Sequence, residues 1–500
     1  MMRKDIAALS STTSFLKGEF SFSVERLEKL FREESDQVWQ EAGRARARTL
    51  FHKAAERVPA YKDFLRKNKI RHEIIRTEQD FRNIPCTDKK NYIREYPLSA
   101  RCWDGAIGES DLIAVSSGTT GSPTFWPRGV RQEREAEIIH ELIYRYLFRI
   151  DRYRTLLLIG FPMGVYVSGV ATLLPSLSVA RKYAMSIVSV GNNKGELLRV
   201  VRSLGNEYDQ VILAGHPFFI KDVIETGKEE GIAWREKQLR MMFCSEGFSE
   251  LWRRYVIRAA GIPLRPETAL STYGSSEMLL IGHETPFTIA LRMAFEKNDK
   301  LRQRFFENAP VPNIFQYNPL FRFIDSVNGE LIFTSASGIP LIRFNLHDGG
   351  MILPLDEARK VVPRARPTWN LPLVALAGRS DQTIIFYAAN IYPEHIHAAL
   401  NNPTFLKKIT GKFTMRKGYL KNMDEYLEIN IELRRGVKIR SSTARSIENH
   451  AVTTLKKINM EYLFLCNNLD KDLRPRVRLW PYQSEKYFKP GLKPKYIVSA

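Results

Sequence analysis

A loop rich in small hydroxyl residues carries the strongest indication of chemistry in the sequence. It follows an apolar, strand-like run that ends at Ser116, and it comprises Ser117, Gly118, Thr119, Thr120, Gly121 and Ser122. Glycines let the backbone approach an anion closely, and hydroxyl groups add hydrogen-bond donors. The composition predicts a phosphate-binding loop, with a polar surface loop as the alternative. A Walker A loop is excluded because no Gly-Lys-Ser/Thr is present and Pro123 leads into strand-like residues.

Three further segments place groups suited to a nucleotide at the ends of predicted strands. Tyr273 offers a flat ring for a base, and Glu277 offers a hard oxygen ligand for Mg²⁺. Asp348, just past a predicted strand, can accept two hydrogen bonds from a ribose diol. A fourth segment, which opens at Gly378-Arg379, precedes another strand. For each segment, an ordinary turn with solvated charges is the alternative interpretation.

The hydrophobic pattern predicts the elements that must position these groups. Strand-like and helical segments alternate in the order Gln210–Ala214, 218–230, Met241–Cys244, 248–260 and Ala269–Tyr273. This alternation predicts a parallel sheet covered by helices. Residues 23–68 have helical periodicity with a break at Pro59, and residues 329–344 resemble antiparallel strands around a turn.

Residues 155–180 carry no charged side chain, which satisfies a crude length test for a membrane span. Glycines and prolines interrupt this stretch, however. A buried strand, a glycine-containing turn and a core helix therefore explain it better than a span.

The length of 500 residues is enough for two or three domains. We predict an α/β protein with a large, multi-layer N-terminal domain of helix-covered sheets over residues 1–378. A smaller α+β domain, strongly basic, is predicted over residues 379–500.

Residues 401–500 hold 21 lysines and arginines against nine acidic residues, and the whole chain has a net charge of +21. Such a surface attracts phosphates or acidic partners but does not choose among them.

The four cysteines show no metal-binding spacing, and the first residues include no apolar leader. These features predict a cytoplasmic protein without disulfides, a structural zinc site or a transmembrane segment.

Taken in order, the four segments resemble the adenylate-forming superfamily of acyl-CoA synthetases, adenylation domains and luciferases. Within it the chain is most similar to the phenylacetate-CoA ligase branch, which includes adenylate ligases of capsule biosynthesis. The segments Pro85–Lys89, Arg94–Pro97 and Gly329–Thr334 match that branch as well. The resemblance covers roughly residues 45–400, and the last hundred residues match only loosely.

The resemblance implies an ATP- and Mg²⁺-dependent ligase that adenylates a carboxylic acid and transfers the acyl group, most simply to CoA. It implies that Ser117, Gly118, Thr119, Thr120 and Gly121 hold the ATP phosphates. It further implies that Thr272 contacts phosphate and that Glu277 holds Mg²⁺. In the same family pattern Tyr273 stacks on adenine, and Asp348 and Arg379 bind ribose. The adenine pocket would be lined by Ser245, Glu246 and Gly247. Asp381 falls at the family's hinge, about which a smaller mobile C-terminal domain swings.

Three departures from the family pattern concern the loop before the ribose aspartate, the thiol tunnel and the C-terminal lysine. Leu346-His347 stands where the family has Thr-Gly, and Ala388 stands where it has a glycine beside the thiol tunnel. The usual Gly-Lys signature near the C-terminus is absent. The candidates for the catalytic lysine are Lys486, Lys489, Lys493 and Lys495, and we choose Lys493.

The acyl pocket is harder to predict. By resemblance its wall is formed by Phe161, Tyr166, His216 and Phe218, which suggests an aryl or medium-chain acid. The alternative is that these are core aromatic residues.

Two other functions stay open. The acyl group could pass to an amine, a sugar or an acidic carrier protein, which Ala388 and the basic tail allow. A basic binding protein on a catalytically dead ligase fold is the alternative from another class. No basic groove with interleaved aromatic residues is present, so specific nucleic-acid binding is not expected.

Overall fold

The structure, a computed structural model, describes residues 23–108, 110–116, 123–164, 167–306, 311–379, 383–469, 471–488 and 496–497. The described residues divide into two compact units. The larger holds those up to Ser116 and from Phe125 to Gly378, and the smaller consists mainly of those from Arg379 onward.

The larger unit begins with helices and then alternates strands with helices. Its helices are α1 (Val24–Glu33), α2 (Asp36–Arg57), α3 (Pro59–Lys67), α4 (Glu78–Arg82), α5 (Leu98–Arg101), α6 (Val130–Leu142), α7 (Val167–Ala180), α8 (Lys194–Leu204), α9 (Pro217–Glu229), α10 (Glu250–Ala259), α11 (Pro286–Lys297), α12 (Asp299–Phe306) and α13 (Leu355–Val361).

The strands up to the unit boundary form a two-stranded ribbon and one large sheet. The ribbon pairs β1 (Ser110–Ser116) with β2 (Thr124–Gly129). The sheet strands are β3 (Thr155–Ile159), β4 (Met185–Ser189), β5 (Gln210–Gly215), β6 (Arg240–Phe243), β7 (Ala269–Ser275), β8 (Leu279–His283), β9 (Asn313–Tyr317), β10 (Phe323–Val327), β11 (Glu330–Ser335), β12 (Leu341–Leu353) and β13 (Leu373–Arg379).

The large sheet has the strand order β10-β11-β12-β13-β9-β8-β7-β6-β5-β3-β4. Strands β4, β3, β5, β6 and β7 run parallel, because each is joined to the next along the chain by a helical crossover. From β7 the pairing becomes antiparallel through β8 and β9 to β13, and β10–β12 also pair antiparallel. The predicted parallel sheet and the predicted antiparallel strands are both confirmed.

The helical prediction for residues 23–68 is confirmed, with Pro59 as the first residue of α3 rather than the end of helical structure. Proline is well suited to that position because the first helical N–H has no partner within the helix. These helices are buried against the sheet: Phe51 and Tyr61 share a core cluster with Phe333 and Phe344. The N-terminal segment is thereby attached to β11 and to β12, the strand that carries Asp348.

The uncharged stretch 155–180 contains β3, a turn and α7, as predicted. Every residue of β3 is buried between its neighbours β4 and β5. No helix among the described residues is long and apolar enough to cross a bilayer.

The smaller unit is an α+β arrangement. Its elements are β14 (Ile384–Phe386), β15 (Ala389–Ile391), α14 (Pro393–Leu400), α15 (Pro403–Leu406), β16 (Ile409–Tyr419), β17 (Glu425–Leu433), α16 (Ser441–Ile458), α17 (Met460–Asn468) and β18 (Arg476–Trp480). Strands β16, β17 and β18 form a sheet, and β14 pairs with β15 as a hairpin.

Candidate active site

The carboxyl ends of the parallel strands form one edge of the large sheet, and several predicted site residues follow them. The register pairs Ile159 with Ala214, Gly215 with Phe243, and Phe243 with Ser271. The segments after β3, β5 and β6 and the end of β7 therefore lie side by side. In open α/β sheets this edge is where ligands bind.

Tyr273, near the end of β7, donates a hydrogen bond from its hydroxyl to Oδ2 of Asp348 on β12. Both side chains are buried, and one face of the Tyr273 ring stacks on Phe315 with 5.5 Å between centroids. The structure thus brings together the residues predicted to contact adenine and ribose. A base would have to use the ring face opposite Phe315.

Asp348 lies within β12, not past the end of a strand as the sequence predicted. The strand continues because Gly349 pairs with Glu330 and the Gly350 N–H donates to the carbonyl of Gly329. His347 has a φ of +62°, in the left-handed region that favours glycine, which accounts for the glycine of the family pattern. The departure at this position changes the side chain while Asp348 stays buried and bonded to Tyr273.

Glu277 lies in the turn between β7 and β8, and its side chain is only 3% exposed. Lys89 Nζ lies 2.7 Å from its Oε1. Burial opposes ionisation, but attraction to the Lys89 ammonium outweighs it and holds the pKa of Glu277 below its usual range. The turn is held by Arg322, whose Nε and Nη2 donate to the carbonyl of Met278 at 2.9 and 2.6 Å.

The segment that carries Lys89 is attached to β12. Thr87 donates from its hydroxyl to the carbonyl of Ile342 at 2.9 Å, and its carbonyl accepts from Asn345 N at 2.7 Å. Asp88 then caps the helical turn Lys89–Ile93 by accepting from Lys90 N and Asn91 N. The backbone at Lys89 is therefore anchored, while its side chain is 39% exposed.

His216 and Glu246 follow neighbouring strands β5 and β6, and His216 Nε2 lies 3.0 Å from Glu246 Oε2. Glu246 is buried, and Ser245 before it has a φ of +77°, so the chain turns sharply where the adenine pocket is predicted. The Cβ of any residue replacing Gly247 would lie 2.6 Å from Asn313 Nδ2, so the Asn313 side chain would have to move. The predicted acyl-pocket histidine thus contacts a predicted adenine-pocket glutamate.

The structure gives the positions of three more predicted residues but does not test their roles. Thr272 donates from its hydroxyl to the carbonyl of Phe243 at 2.8 Å, so a phosphate contact would require exchange of that bond. Phe161 and Phe218 are about 1% exposed, and Phe218 lies on the first turn of α9 rather than at a strand end. Such burial is also what core aromatic residues show, and their pocket assignment stays a prediction.

The remaining predicted residues belong to the smaller unit or lie outside the residues that the structure describes. Arg379 is the last residue of β13. Outside the described residues lie Ser117, Gly118, Thr119, Thr120, Gly121, Tyr166, Asp381 and Lys493.

A network of buried ion pairs holds the backbone of β7 in place. Arg253 on α10 pairs with Glu250 and with Glu284, at 2.9 and 2.6 Å, and all three side chains are buried. Glu284 in turn accepts a hydrogen bond from Ser271 N at 2.7 Å. This network fixes the backbone directly before Thr272 and Tyr273.

The donor set around Glu277 fits one Mg²⁺ that is shared with a substrate. Glu277 Oε1 faces the Lys89 ammonium at 2.7 Å, and a carboxylate oxygen is a ligand type that Mg²⁺ prefers. Among the described residues no group of three or more His, Cys, Asp or Glu could enclose a metal ion. Mg²⁺ commonly binds through one carboxylate together with substrate phosphates and water.

Comparison with known proteins agrees with this architecture. No family model matches the chain. The chain is 23% identical over 387 residues to the phenylacetate-coenzyme A ligase of Escherichia coli (strain K12), covering 76% of this chain and 80% of that protein.

Among solved structures, that of 2-hydroxyisobutyryl-CoA ligase with 2-HIB-AMP and CoA in the thioesterification state aligns with a TM-score of 0.62 and 15% identity. The alignment covers 94% of this chain and 91% of the ligase chain. An open conformation of the same ligase gives a TM-score of 0.52. The fold is that of adenylate-forming ligases, and the chain resembles members of the adenylate-forming superfamily.

Sequence reasoning missed the role of Lys89, although the segment containing it was part of the resemblance. The pairing with Glu277 depends on where the N-terminal segment crosses β12, and no local pattern encodes that crossing. The available clue to the position of Lys89 was Asp88, because a capping aspartate fixes Lys89 as the first residue of the helical turn.

Proposed function

We propose that this protein uses ATP and Mg²⁺ to adenylate a carboxylic acid and then transfers the acyl group to CoA. The observation that carries the proposal is the placement of Glu277 and of the Tyr273–Asp348 pair beside the carboxyl edge of the parallel strands. The sequence relative is a phenylacetate-coenzyme A ligase, and its name supports an acyl-CoA product here.

In the first half-reaction the substrate carboxylate attacks the α-phosphorus of ATP in line, and pyrophosphate leaves. This chemistry asks for positioning and charge neutralisation more than for covalent work by the protein. Asp348, oriented by Tyr273, would hold the ribose hydroxyls. Thr119 and Thr120 would donate to the phosphates. Mg²⁺ bound to Glu277 would neutralise charge on the phosphate oxygens.

In the second half-reaction a thiolate attacks the carbonyl carbon of the acyl-adenylate. A carbon–sulfur bond forms, the bond from the acyl carbon to the phosphate oxygen breaks, and AMP leaves with its electron pair. Lys493 would contact the reacting phosphate in the first step, and a hinge at Asp381 would allow the domain of residues 379–500 to rearrange between the steps. These assignments follow the family resemblance.

The second candidate keeps the adenylation and changes the acceptor to an amine, a sugar or a carrier protein. It is favoured by Ala388, whose φ of +68° places a methyl group where the family has glycine in a tight hairpin. The basic C-terminal hundred residues suit an acidic carrier as well as the phosphates of CoA.

The deciding experiment is carboxylate-dependent exchange of labelled pyrophosphate into ATP, with pools of aryl, fatty and amino acids and no acceptor. Exchange in one pool supports adenylation and gives the acid class, after which CoA, hydroxylamine and carrier proteins are compared as acceptors. Absence of exchange in every pool, together with no binding of ATP·Mg²⁺, would reject the proposed function.

A further inference from the structure

Lys89 and a divalent cation on Glu277 would compete for one buried carboxylate. The ammonium lies 2.7 Å from Glu277 Oε1, whereas Mg²⁺ coordinates carboxylate oxygens at about 2.0–2.1 Å. Two positive ions within this distance of one buried oxygen repel strongly, because little water screens them. Glu277 can therefore be paired with the ammonium or with the metal, but not with both in this geometry.

The Lys89 side chain has room to leave. It is 39% exposed although its partner carboxylate is buried, and the backbone behind it is anchored by Thr87 and Asp88. A lysine stem of four carbons can swing from a fixed backbone without disturbing the fold. When the metal arrives together with nucleotide phosphates, the phosphates are a new anionic partner for the displaced ammonium.

We propose that Lys89 is the resident counter-cation of Glu277, that a divalent cation binds there only by displacing it, and that the displaced ammonium then pairs with the phosphates. This inference rests on the proposed function, in which Glu277 is the metal ligand. It explains how a buried carboxylate stays ionised before substrate arrives. It also predicts weak metal binding to the nucleotide-free protein, so that the metal enters mainly with ATP.

The test measures Mn²⁺ binding to nucleotide-free protein by electron paramagnetic resonance of the free ion at pH 8. Glu277→Gln identifies the Mn²⁺ bound at this site. Lys89→Gln should bind that ion about tenfold more tightly than the wild type, since its competitor is gone. The matched control is Lys90→Gln, because Lys90 is adjacent and exposed and has no ion pair with any residue that the structure describes.

An unchanged Mn²⁺ affinity in Lys89→Gln would overturn the proposal, as would the absence of a Glu277-dependent Mn²⁺ site from that variant. A structural salt bridge alone would lower the melting temperature of Lys89→Gln and leave Mn²⁺ affinity at the wild-type value. A second arm measures ATP binding to protein that is already saturated with Mn²⁺, in which the ammonium has been displaced. Lys89→Gln should weaken this binding about tenfold if the ammonium pairs with the phosphates. Equal ATP affinity of the two Mn²⁺-saturated proteins would overturn the proposed pairing with the phosphates.

The two proposals fail in different ways. If the wild type shows no pyrophosphate exchange but Lys89→Gln still gains Mn²⁺ affinity, the competition stands and the proposed function falls. If exchange is present and Mn²⁺ affinity does not change, the proposed function stands and the role of Lys89 is rejected.

Discussion

The hydroxyl of Tyr273 donates a hydrogen bond to the carboxylate of Asp348, 75 residues farther along the chain. The bond occupies Oδ2 of the carboxylate that is predicted to hold the ribose hydroxyls. It also fixes the angle between the tyrosine ring and the aspartate, so that the predicted base and sugar contacts form one rigid unit. Residues that share such a bond should act together when either is replaced.

We therefore expect Tyr273→Phe to raise the KM for ATP about tenfold in the exchange assay, because the phenyl ring keeps the stacking surface but no longer orients Asp348. Asp348→Asn should raise it further, since a hydrogen bond to a charged group contributes about 1.5–3 kcal/mol. The double variant should be little worse than Asp348→Asn alone. Additive effects in this double-mutant cycle would contradict the coupling.

Glu277→Gln should lower the rate of adenylation at least about a hundredfold while the protein stays folded. The amide keeps the shape of the side chain but removes the charge that a metal requires, and Lys89 can turn toward solvent. Thr119→Val and Thr120→Val should also abolish exchange by removing phosphate donors. The exposed Glu73→Gln is the matched control. Pyrophosphate release at the wild-type rate in these variants would refute the assignment.

The sequence was informative where a local pattern determines structure. The strands Gln210–Gly215, Arg240–Phe243 and Ala269–Ser275 are apolar runs separated by amphipathic helices, and such segments form a parallel sheet on pattern alone. The order of strands from β8 to β13 was not predictable, because antiparallel pairing between distant segments leaves no comparable mark.

The same distinction applies to the site. Glu277 and Asp348 were found because family motifs contain them, but their partners Lys89 and Tyr273 were not predicted as partners. Each contact joins segments that meet only through the sheet. The extension of β12 past Asp348 has the same cause: the composition of residues 347–350 resembles a turn, and pairing with β11 overrides it.

Lys493→Ala should lower the rate of adenylation strongly and leave ATP binding close to the wild-type value, if this lysine contacts the reacting phosphate. A lysine acting only at the transition state changes kcat more than KM. Lys486, Lys489 and Lys495, each replaced by alanine, are the matched comparisons. Normal exchange by Lys493→Ala, with a loss in one of the others, would move the role to that residue.

Ala388→Gly should stabilise the hairpin of β14 and β15. Tyr387 and Ala388 have φ values of +47° and +68°, and the strands pair Phe386 with Ala389, so both central residues are left-handed. That conformation costs a residue with a Cβ about 1–2 kcal/mol, which glycine avoids at an entropic cost below about 1 kcal/mol. The free energy of unfolding, measured in urea, should rise by up to about 1 kcal/mol.

The same variant separates the two candidate acceptors. If the thiol passes this hairpin, removal of the methyl group should raise the CoA-dependent rate and leave pyrophosphate exchange unchanged. If CoA turnover is absent from both proteins while hydroxylamine captures the acyl group, an amine acceptor is favoured.

Acidification should destabilise the protein between about pH 6.5 and pH 4 through two buried histidines. Burial lowers the pKa of His140 and of His283 to about 4, and each imidazole nitrogen Nδ1 faces a backbone carbonyl, that of Ala136 at 2.8 Å and that of Glu284 at 3.0 Å. In the unfolded chain each histidine takes up a proton near pH 6.5. Between these values the unfolded state holds more protons, so the free energy of unfolding falls as pH falls.

The expected loss is about 3 kcal/mol for each histidine over that interval, from a shift of roughly 2.5 units at 1.36 kcal/mol per unit. Urea unfolding at half-unit steps of pH should show His140→Gln and His283→Gln with a flatter dependence than the wild type. His450→Gln, in the smaller unit, is the control and should keep the wild-type slope. The carboxylates titrate equally in all four proteins, so only the difference in slope reports on the imidazoles. Identical slopes in all four would show that neither histidine is held neutral by burial.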